Sequence, residues 1–128
     1  MPMPNQTAVV VAPSYLSADG ITPVVSASAE NAHVLKATPG NLYSVYATNL
    51  TATAGYLVVL NATSSPSDGA ITPLAAVPLP ASGVASIDFT PGPPEAYSTG
   101  ITAVLTSAAT PFTKTTGVIT GFISGHVS

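Results

Sequence analysis

The side chains that could carry acid–base or metal chemistry are few in this chain. The acids and histidines are Asp19, Glu30, Asp68, Asp88, Glu95, His33 and His126. A metal site needs three or four such ligands to converge. Glu30 and His33 are the one pair at close spacing, and a separation of three residues suits a helix rather than the strand predicted there. We therefore expect neither a metal ion nor a cofactor.

Two hydrolytic arrangements can also be drawn from these residues. Asp68 and Asp88 could form the carboxylate pair of a glycosidase, but Asp68 precedes a glycine as turn residues do, and Asp88 fits a strand end. A Ser-His-Asp triad could be assembled from many serines, yet the Gly-x-Ser-x-Gly elbow that exposes a nucleophilic serine is missing. The sequence predicts that this protein is not an enzyme.

Charge is unusually scarce in this chain. Charged residues make up 5% of the sequence, with two lysines and five acids, whereas an ordinary domain carries roughly 25%. Lys36 and Lys114 are the basic residues, and arginine is absent. Because nucleic acids are held mainly through their phosphates, we expect no nucleic-acid partner. The chain is nevertheless 46% hydrophobic, which predicts a folded core rather than disorder.

Features of secreted and membrane proteins are missing or weak. There is no cysteine, which removes disulfides and thiolate chemistry. The segment from Met1 has neither a basic region nor an apolar run, so we expect no secretory signal. Apolar stretches such as Tyr56 to Leu60 are far below the roughly 20 residues that span a bilayer. Without a signal, the Asn-x-Thr sequences at Asn5, Asn49 and Asn61 predict no glycosylation.

The residue types favour β structure. Thr, Val and Ile are abundant, and 13 prolines with 10 glycines divide the chain into short runs. The Pro39-Gly40 pair predicts a type II turn with positive φ at the glycine, and Asp19-Gly20 and Asp68-Gly69 predict two further turns. The predicted strands cover residues 7–12, 22–28, 32–37, 42–48, 55–62, 71–77, 84–89, 101–106 and 117–123.

These strands predict an all-β fold, an antiparallel β-sandwich or jelly-roll-like domain. The run 55–62 is the most apolar and is predicted to be a central strand. In the strand from Leu42, alternation places Leu42, Ser44, Tyr46 and Thr48 on one face.

The first 30 residues differ in composition from the rest and hold four prolines. We interpret residues 1–30 as an extended N-terminal arm that lies on a neighbour, or as an edge strand, and residues 31–128 as the sandwich domain. The other interpretation is that this segment supplies the first strand of the sandwich. Composition leaves both open.

Tyrosine is suited to interfaces because its ring is buried while its hydroxyl keeps a partner. The residues that we expect to make interface contacts are Tyr15, Tyr97, Val9, Val10 and Val11. Sheet edges are normally protected by lysine or other charges, and this chain has almost none to place there. A nearly uncharged surface of this kind favours association. The composition therefore predicts a homo-oligomer or a component of a lattice.

The order of turns and strands from Gly55 onward resembles that of a known group of proteins. Gly55 to Ala62 leads into Pro66-Ser67-Asp68-Gly69 and a series of prolines, followed by Pro91-Gly92-Pro93-Pro94, Tyr97 to Ile101 and Thr113-Lys114-Thr115. Over residues 31–123 the chain resembles small β-rich proteins from the structural-gene clusters of tailed phages and prophages. The resemblance implies a virion component, such as a capsid decoration protein, and carries no catalytic residue.

We accordingly expect a phage virion protein that decorates or cements the capsid by binding the assembled shell. Its partners would be other copies of itself and the major capsid protein or another virion protein, and its location the virion, assembled in the host cytoplasm, with no membrane partner. One alternative is a host-attachment or carbohydrate-binding module of a fibre or tail tip, with Tyr15, Tyr97 and the loops around Asp68 and Glu95 contacting a glycan. Another is a tail or connector ring subunit.

Overall fold

A computed structural model describes residues 20–109 and 112–128 of the chain. Within these residues there is no helix, and the fold is all-β, as predicted. The strands are β1 (Thr22–Val25), β2 (Ala32–Lys36), β3 (Gly40–Thr48), β4 (Gly55–Leu60), β5 (Ala75–Leu79), β6 (Val84–Asp88), β7 (Glu95–Tyr97), β8 (Ile101–Thr106), β9 (Ala108–Ala109), β10 (Phe112–Thr113) and β11 (Ile123–Val127).

The strands form two main antiparallel sheets with a shared core, an arrangement consistent with a β-sandwich. The five-stranded sheet has the order β1-β11-β3-β6, with β7 also pairing with β3, and the four-stranded sheet has the order β2-β8-β4-β5. The short strands β9 and β10 pair with each other. One buried cluster joins Val45 and Ile123 of the first sheet to Leu57 and Leu105 of the second. The core therefore lies between the sheets.

The predicted strands agree best where apolar residues are continuous. Strand β8 has the predicted bounds, and β4 lies between β8 and β5, as predicted for the most apolar strand. Two predicted strands are misplaced. The predicted strand 117–123 shares only Ile123 with β11, and Gly117 has a φ of 63°, which an extended strand does not adopt. Ile71 packs on the outside of the four-stranded sheet instead, so β5 begins at Ala75.

The predicted turn at Pro39-Gly40 is wrong. Gly40 is the first residue of β3 and pairs with Tyr97, and it is not among the positive-φ glycines of the described residues. A Cβ at this position would lie 2.3 Å from the carbonyl oxygen of Ser128. Close approach of another backbone, rather than a turn, requires glycine here.

The prediction that Leu42 shares a face of its strand with Ser44, Tyr46 and Thr48 is also wrong. Leu42 pairs with Val127 and Ser44 with His126, which leaves Tyr43 as the extra residue of a β-bulge. The bulge reverses the alternation at this point, so Leu42 is buried together with Val45, whereas Ser44 and Tyr46 face outward.

Residues 22–25 of the predicted arm form strand β1 of the five-stranded sheet. Strand β1 forms one edge of the five-stranded sheet and pairs with β11, and Glu30 forms an isolated bridge with Gly121. The rest of the arm, residues 1–19, lies outside the described residues. So do the predicted strand 7–12 and the predicted interface residues Val9, Val10, Val11 and Tyr15.

The edge strands are better protected than the composition suggests. Strands β1 and β5 contain Pro23 and Pro78, and strands β2 and β6 contain Lys36 and Asp88. Proline and charge both hinder the addition of another strand. Two of these four strands therefore carry one charge each, and the other two carry one proline each.

Candidate interaction face

The outer faces of the two sheets differ in what covers them. On the four-stranded sheet, the outward side chains of Val58, Leu60 and Val104 are buried. They pack against Phe112 of β10, which is itself fully buried, and against Ile71. The loop that contains Ile71 and the paired strands β9 and β10 therefore cover this face.

The outer face of the five-stranded sheet is covered by no described residue, and we call it the open face. Its residues follow from the strand registers. They form three rows across the strands: Asp88, Ser44, His126 and Pro23; then Ser86, Tyr46, Ser124 and Val25; then Val84, Thr48 and Phe122.

The large side chains of the open face are substantially exposed. The exposed fractions are 63% for Val25, 55% for Val84, 44% for Tyr46 and 43% for Phe122. Single exposed apolar residues are ordinary on protein surfaces, whereas a contiguous group marks a contact surface. The open face is such a group.

A depression lies beside Tyr46 on this face. Its volume is about 210 Å³, and the residues lining it are Ser44, Val45, Tyr46, Ser86, Ile87, Asp88, Ser124 and His126. Three of the outward residues are serines, which are too short to fill the space beside the tyrosine ring. The open face therefore presents a large side chain next to a hollow.

The first row contains a serine, a histidine and an aspartate without forming a catalytic triad. The Oγ of Ser44 lies 3.2 Å from Nδ1 of His126. A triad needs the histidine between the acid and the serine, but here Ser44 lies between Asp88 and His126 in the row. The Asp88 carboxylate instead accepts hydrogen bonds from the hydroxyl and the backbone N–H of Thr90, which lower its pKa.

Glu30 and His33 do meet, contrary to the expectation from their spacing. Oε2 of Glu30 lies 3.0 Å from Nδ1 of His33. The chain bends between them at Asn31, whose side-chain amide donates to the carbonyl oxygens of Leu105 and Ile119. Among the described residues, no third acidic or histidine side chain joins them or forms another metal-binding group.

The two carboxylates predicted as a possible glycosidase pair lie in different parts of the fold. Asp68 accepts hydrogen bonds from the Thr115 hydroxyl and from the backbone N–H of Lys114. These bonds lower its pKa, and Gly69 beside it forms a bridge with Phe112 over the four-stranded sheet. Asp88 lies on β6 of the other sheet. They therefore cannot flank one glycosidic bond.

The interface role predicted for Tyr97 is wrong. Its side chain is only 2% exposed and belongs to the core between the sheets. Its hydroxyl donates to Oε1 of Glu95 at 2.6 Å, and burial, assisted by Glu95, raises the pKa of Tyr97. The exposed tyrosine of the five-stranded sheet is Tyr46. Its outward alternation with Ser44 and Thr48 was the sequence signal that could have identified it.

A second depression lies at the end of β4 and β5. Its volume is about 350 Å³, and it is lined by Ala54, Gly55, Tyr56, Pro78, Leu79, Pro80 and Ser107. The ring of Tyr56 is 38% exposed. Tyr56 and Ser107 supply the two side-chain hydroxyls of this depression. The hydroxyl of Ser107 already donates a hydrogen bond to the carbonyl oxygen of Thr116, 2.6 Å away.

Comparisons with protein-family models, with curated proteins and with solved structures found no match for this chain. In the part of the chain that the structure describes, no helix is long and apolar enough to cross a membrane.

Proposed function

We propose that this protein is a structural subunit of a larger assembly and that the open face is one of its contacts. The observation that carries the proposal is the group of Val25, Tyr46, Val84 and Phe122, exposed together on one sheet. Asp88 is the one carboxylate in the rows of this face. Apolar side chains with little charge favour burial against another protein surface.

We propose further that the assembly is the virion of a tailed phage and that the subunit decorates or cements the capsid. The support is the resemblance over residues 31–123, together with a surface that carries few charges. The N-terminal arm predicted over residues 1–30 is a second contact that we propose with a neighbouring subunit. If the protein were instead a subunit of a tail tube or a connector ring, we would expect the isolated chain to form rings.

The finer fold that we propose is a jelly roll. When β7, β9 and β10 are set aside and the remaining eight strands are numbered in chain order, the two sheets read 1-8-3-6 and 2-7-4-5. This interleaving is the pattern of two nested Greek keys, as in the jelly rolls of viral capsid and lectin domains. Because one fold serves many functions, the strand order supports a capsid role without deciding it.

The mechanism would be stabilisation of the shell by mass action. A subunit that binds the assembled shell but not its free components stabilises the assembled state by about 2.7 kcal/mol per site at a concentration 100 times its Kd. Repetition over a symmetric lattice makes a modest contact effective. No chemical step is needed.

The test is to purify particles on a density gradient from a lysate of the phage that encodes the chain. We expect the protein in the fraction of intact virions, at a copy number that follows capsid symmetry, and we expect Tyr46→Asp to reduce its occupancy. A deletion of residues 1–19 should also reduce occupancy. Absence of the protein from intact particles would contradict the virion proposal.

A second candidate function is glycan binding in a host-attachment module, and the depression at Tyr56 is the observation that favours it. An exposed aromatic ring can stack on a sugar, but the depression supplies few free hydrogen-bonding side chains. Of the two tyrosines predicted for this role, Tyr97 is buried and Tyr15 lies outside the described residues. Glycan-array binding that is lost in Tyr56→Ala, and kept in Tyr46→Ala, would favour attachment over capsid decoration.

A further inference from the structure

We propose that the open face binds the open face of a second copy of this chain, with a twofold axis that runs parallel to the strands between β11 and β3. The inference rests on the proposed function insofar as the open face is taken as an assembly contact. It adds the identity of the occupant and the geometry of the contact.

The other surfaces of the sandwich are less suited to pairing between copies. Each of the four edge strands carries a proline or a charged residue, which hinders the addition of a strand from a neighbour. The outer face of the four-stranded sheet is already covered by Phe112 and Ile71. Among the described surfaces, the open face is the one on which Val25, Tyr46, Val84 and Phe122 are exposed together.

The strand register makes the open face complementary to itself. Tyr46 on β3 is paired with Ser124 on β11, and Ser44 is paired with His126 in the next row. A twofold axis between these two strands exchanges them, so Tyr46 lies over Ser124 of the second copy, and Ser44 lies over His126 of the second copy. Each tyrosine thus faces the serine-lined depression of the other copy, as an isologous interface requires.

Charge is compatible with the same geometry. The twofold axis places β6 over β1 of the second copy, so Asp88 lies over Pro23, and Ser86 lies over Val25. The two Asp88 carboxylates are therefore at opposite margins of the interface. No like charges oppose each other, and the Asp88 carboxylate stays near solvent, where its bonds with Thr90 are kept.

The area of the open face limits the affinity that we expect between two copies. Four strands and three rows of outward residues cover roughly 20 by 20 Å, or about 400 Å² per copy. A stable interface between two proteins needs about 800 Å² per partner. We therefore expect a weak dimer in solution that becomes significant when many copies are held on one lattice.

The first experiment is sedimentation equilibrium of the full chain from about 10 µM to about 1 mM, the range in which an interface of this size would dissociate. The mass should rise from monomer toward dimer with concentration. Tyr46→Asp should raise the dissociation constant at least roughly tenfold, whereas Leu74→Asp, at an exposed residue outside the open face, should leave it unchanged. A mass that stays monomeric over the whole range would overturn the proposal.

The second experiment tests the geometry and uses the absence of native cysteine. A mixture of the Tyr46→Cys and Ser124→Cys variants, oxidised together, should form the disulfide-linked heterodimer in preference to either homodimer. Preferential linkage of two Tyr46→Cys chains would overturn the axis parallel to the strands.

The two proposals fail in different ways. If the chain is monomeric and Tyr46→Asp still removes it from virions, the open face contacts another virion protein, and the pairing of copies is refuted while the proposed function stands. If the dimer forms as described but the protein is absent from virions, the pairing stands and the proposed function is refuted.

Discussion

The side-chain amide of Asn49 donates a hydrogen bond to the carbonyl oxygen of Pro80, 3.1 Å away. The bond ties the loop after β3 to the turn that connects β5 with β6, and therefore joins the two sheets at one end. The same amide also donates to the carbonyl oxygen of Thr53, and its oxygen accepts from the N–H and the hydroxyl of Thr51. The Asn-Leu-Thr sequence at this position is thus explained by structure.

Asn49→Ala should destabilise the fold strongly. Asn49 is buried and its side chain takes part in four hydrogen bonds, so its removal should cost about 2–3 kcal/mol in the free energy of unfolding. Urea denaturation measures the change. The control is Asn61→Ala, in the second Asn-x-Thr sequence of the described residues, which is exposed and should cost clearly less. Equal losses would show that the link to Pro80 has no special role.

The two phenylalanines at residues 112 and 122 should differ in their contribution to stability. Phe112 is fully buried over Val58 and Val104, so Phe112→Ala should cost about 3–5 kcal/mol. It should also expose the outer face of the four-stranded sheet to a hydrophobic dye. Phe122→Ala, on the open face, should cost about 1 kcal/mol or less. If both variants bind dye equally, the covering role of Phe112 is wrong.

The sequence predicted the fold class because continuous apolar runs and turn residues reflect burial and local backbone preference. Strand β8 shows this best, since all six of its residues are buried and its bounds were predicted without error. The sequence missed β7, β9 and β10, and it missed β11 except for Ile123. Strands β7, β9 and β10 have two or three residues each, too few for alternation to be visible.

The candidate site was predicted less well, because the direction in which Ser44, Tyr46 and Thr48 point does not follow from alternation alone. Alternation also places Leu42 on their face, and the bulge at Tyr43, which moves Leu42 into the core, leaves no reliable mark in a single sequence. Tyr97 illustrates the same limit. The small polar residues Ser98 and Thr99 that follow it are typical of an exposed loop, but pairing of Gly40 with Tyr97 places the ring in the core.

The pKa of Asp68 should respond to Thr115. The Thr115 hydroxyl is the largest cause of the lowered pKa, followed by the Lys114 backbone N–H. Thr115→Val keeps the shape of the side chain and removes the donor, so the pKa of Asp68 should rise toward the ordinary value of about 3.9. An NMR titration of the Asp68 carboxyl carbon measures it, with Thr116→Val as the control. An unchanged pKa would rule out this hydrogen bond.

The lowered pKa of Asp68 also determines the direction in which the free energy of unfolding changes with pH. Because the pKa of folded Asp68 lies below that of the unfolded chain, the unfolded state binds more protons as the pH falls. The contribution of Asp68 is present above the ordinary aspartate pKa and is lost as the pH falls through the lower, folded-state value. Between pH 7 and pH 2, Asp68→Asn should therefore lose less stability than the unmodified protein, as measured by thermal unfolding. A larger loss in the variant would contradict the sign.

Pro23 should hinder the addition of another strand to the outer edge of β1. The N–H of Ser26 bonds to the carbonyl oxygen of Ile123, and bonded pairs alternate along an antiparallel ladder, so Val24 and Thr22 also face β11. The nitrogen of Pro23 consequently faces the free edge, where it offers no donor to an added strand. Pro23→Thr restores that donor and should increase edge-to-edge aggregation, followed by light scattering during incubation at raised temperature. Pro93→Thr, in an exposed loop, is the control, and equal scattering from both variants would show that the edge is protected by something other than Pro23.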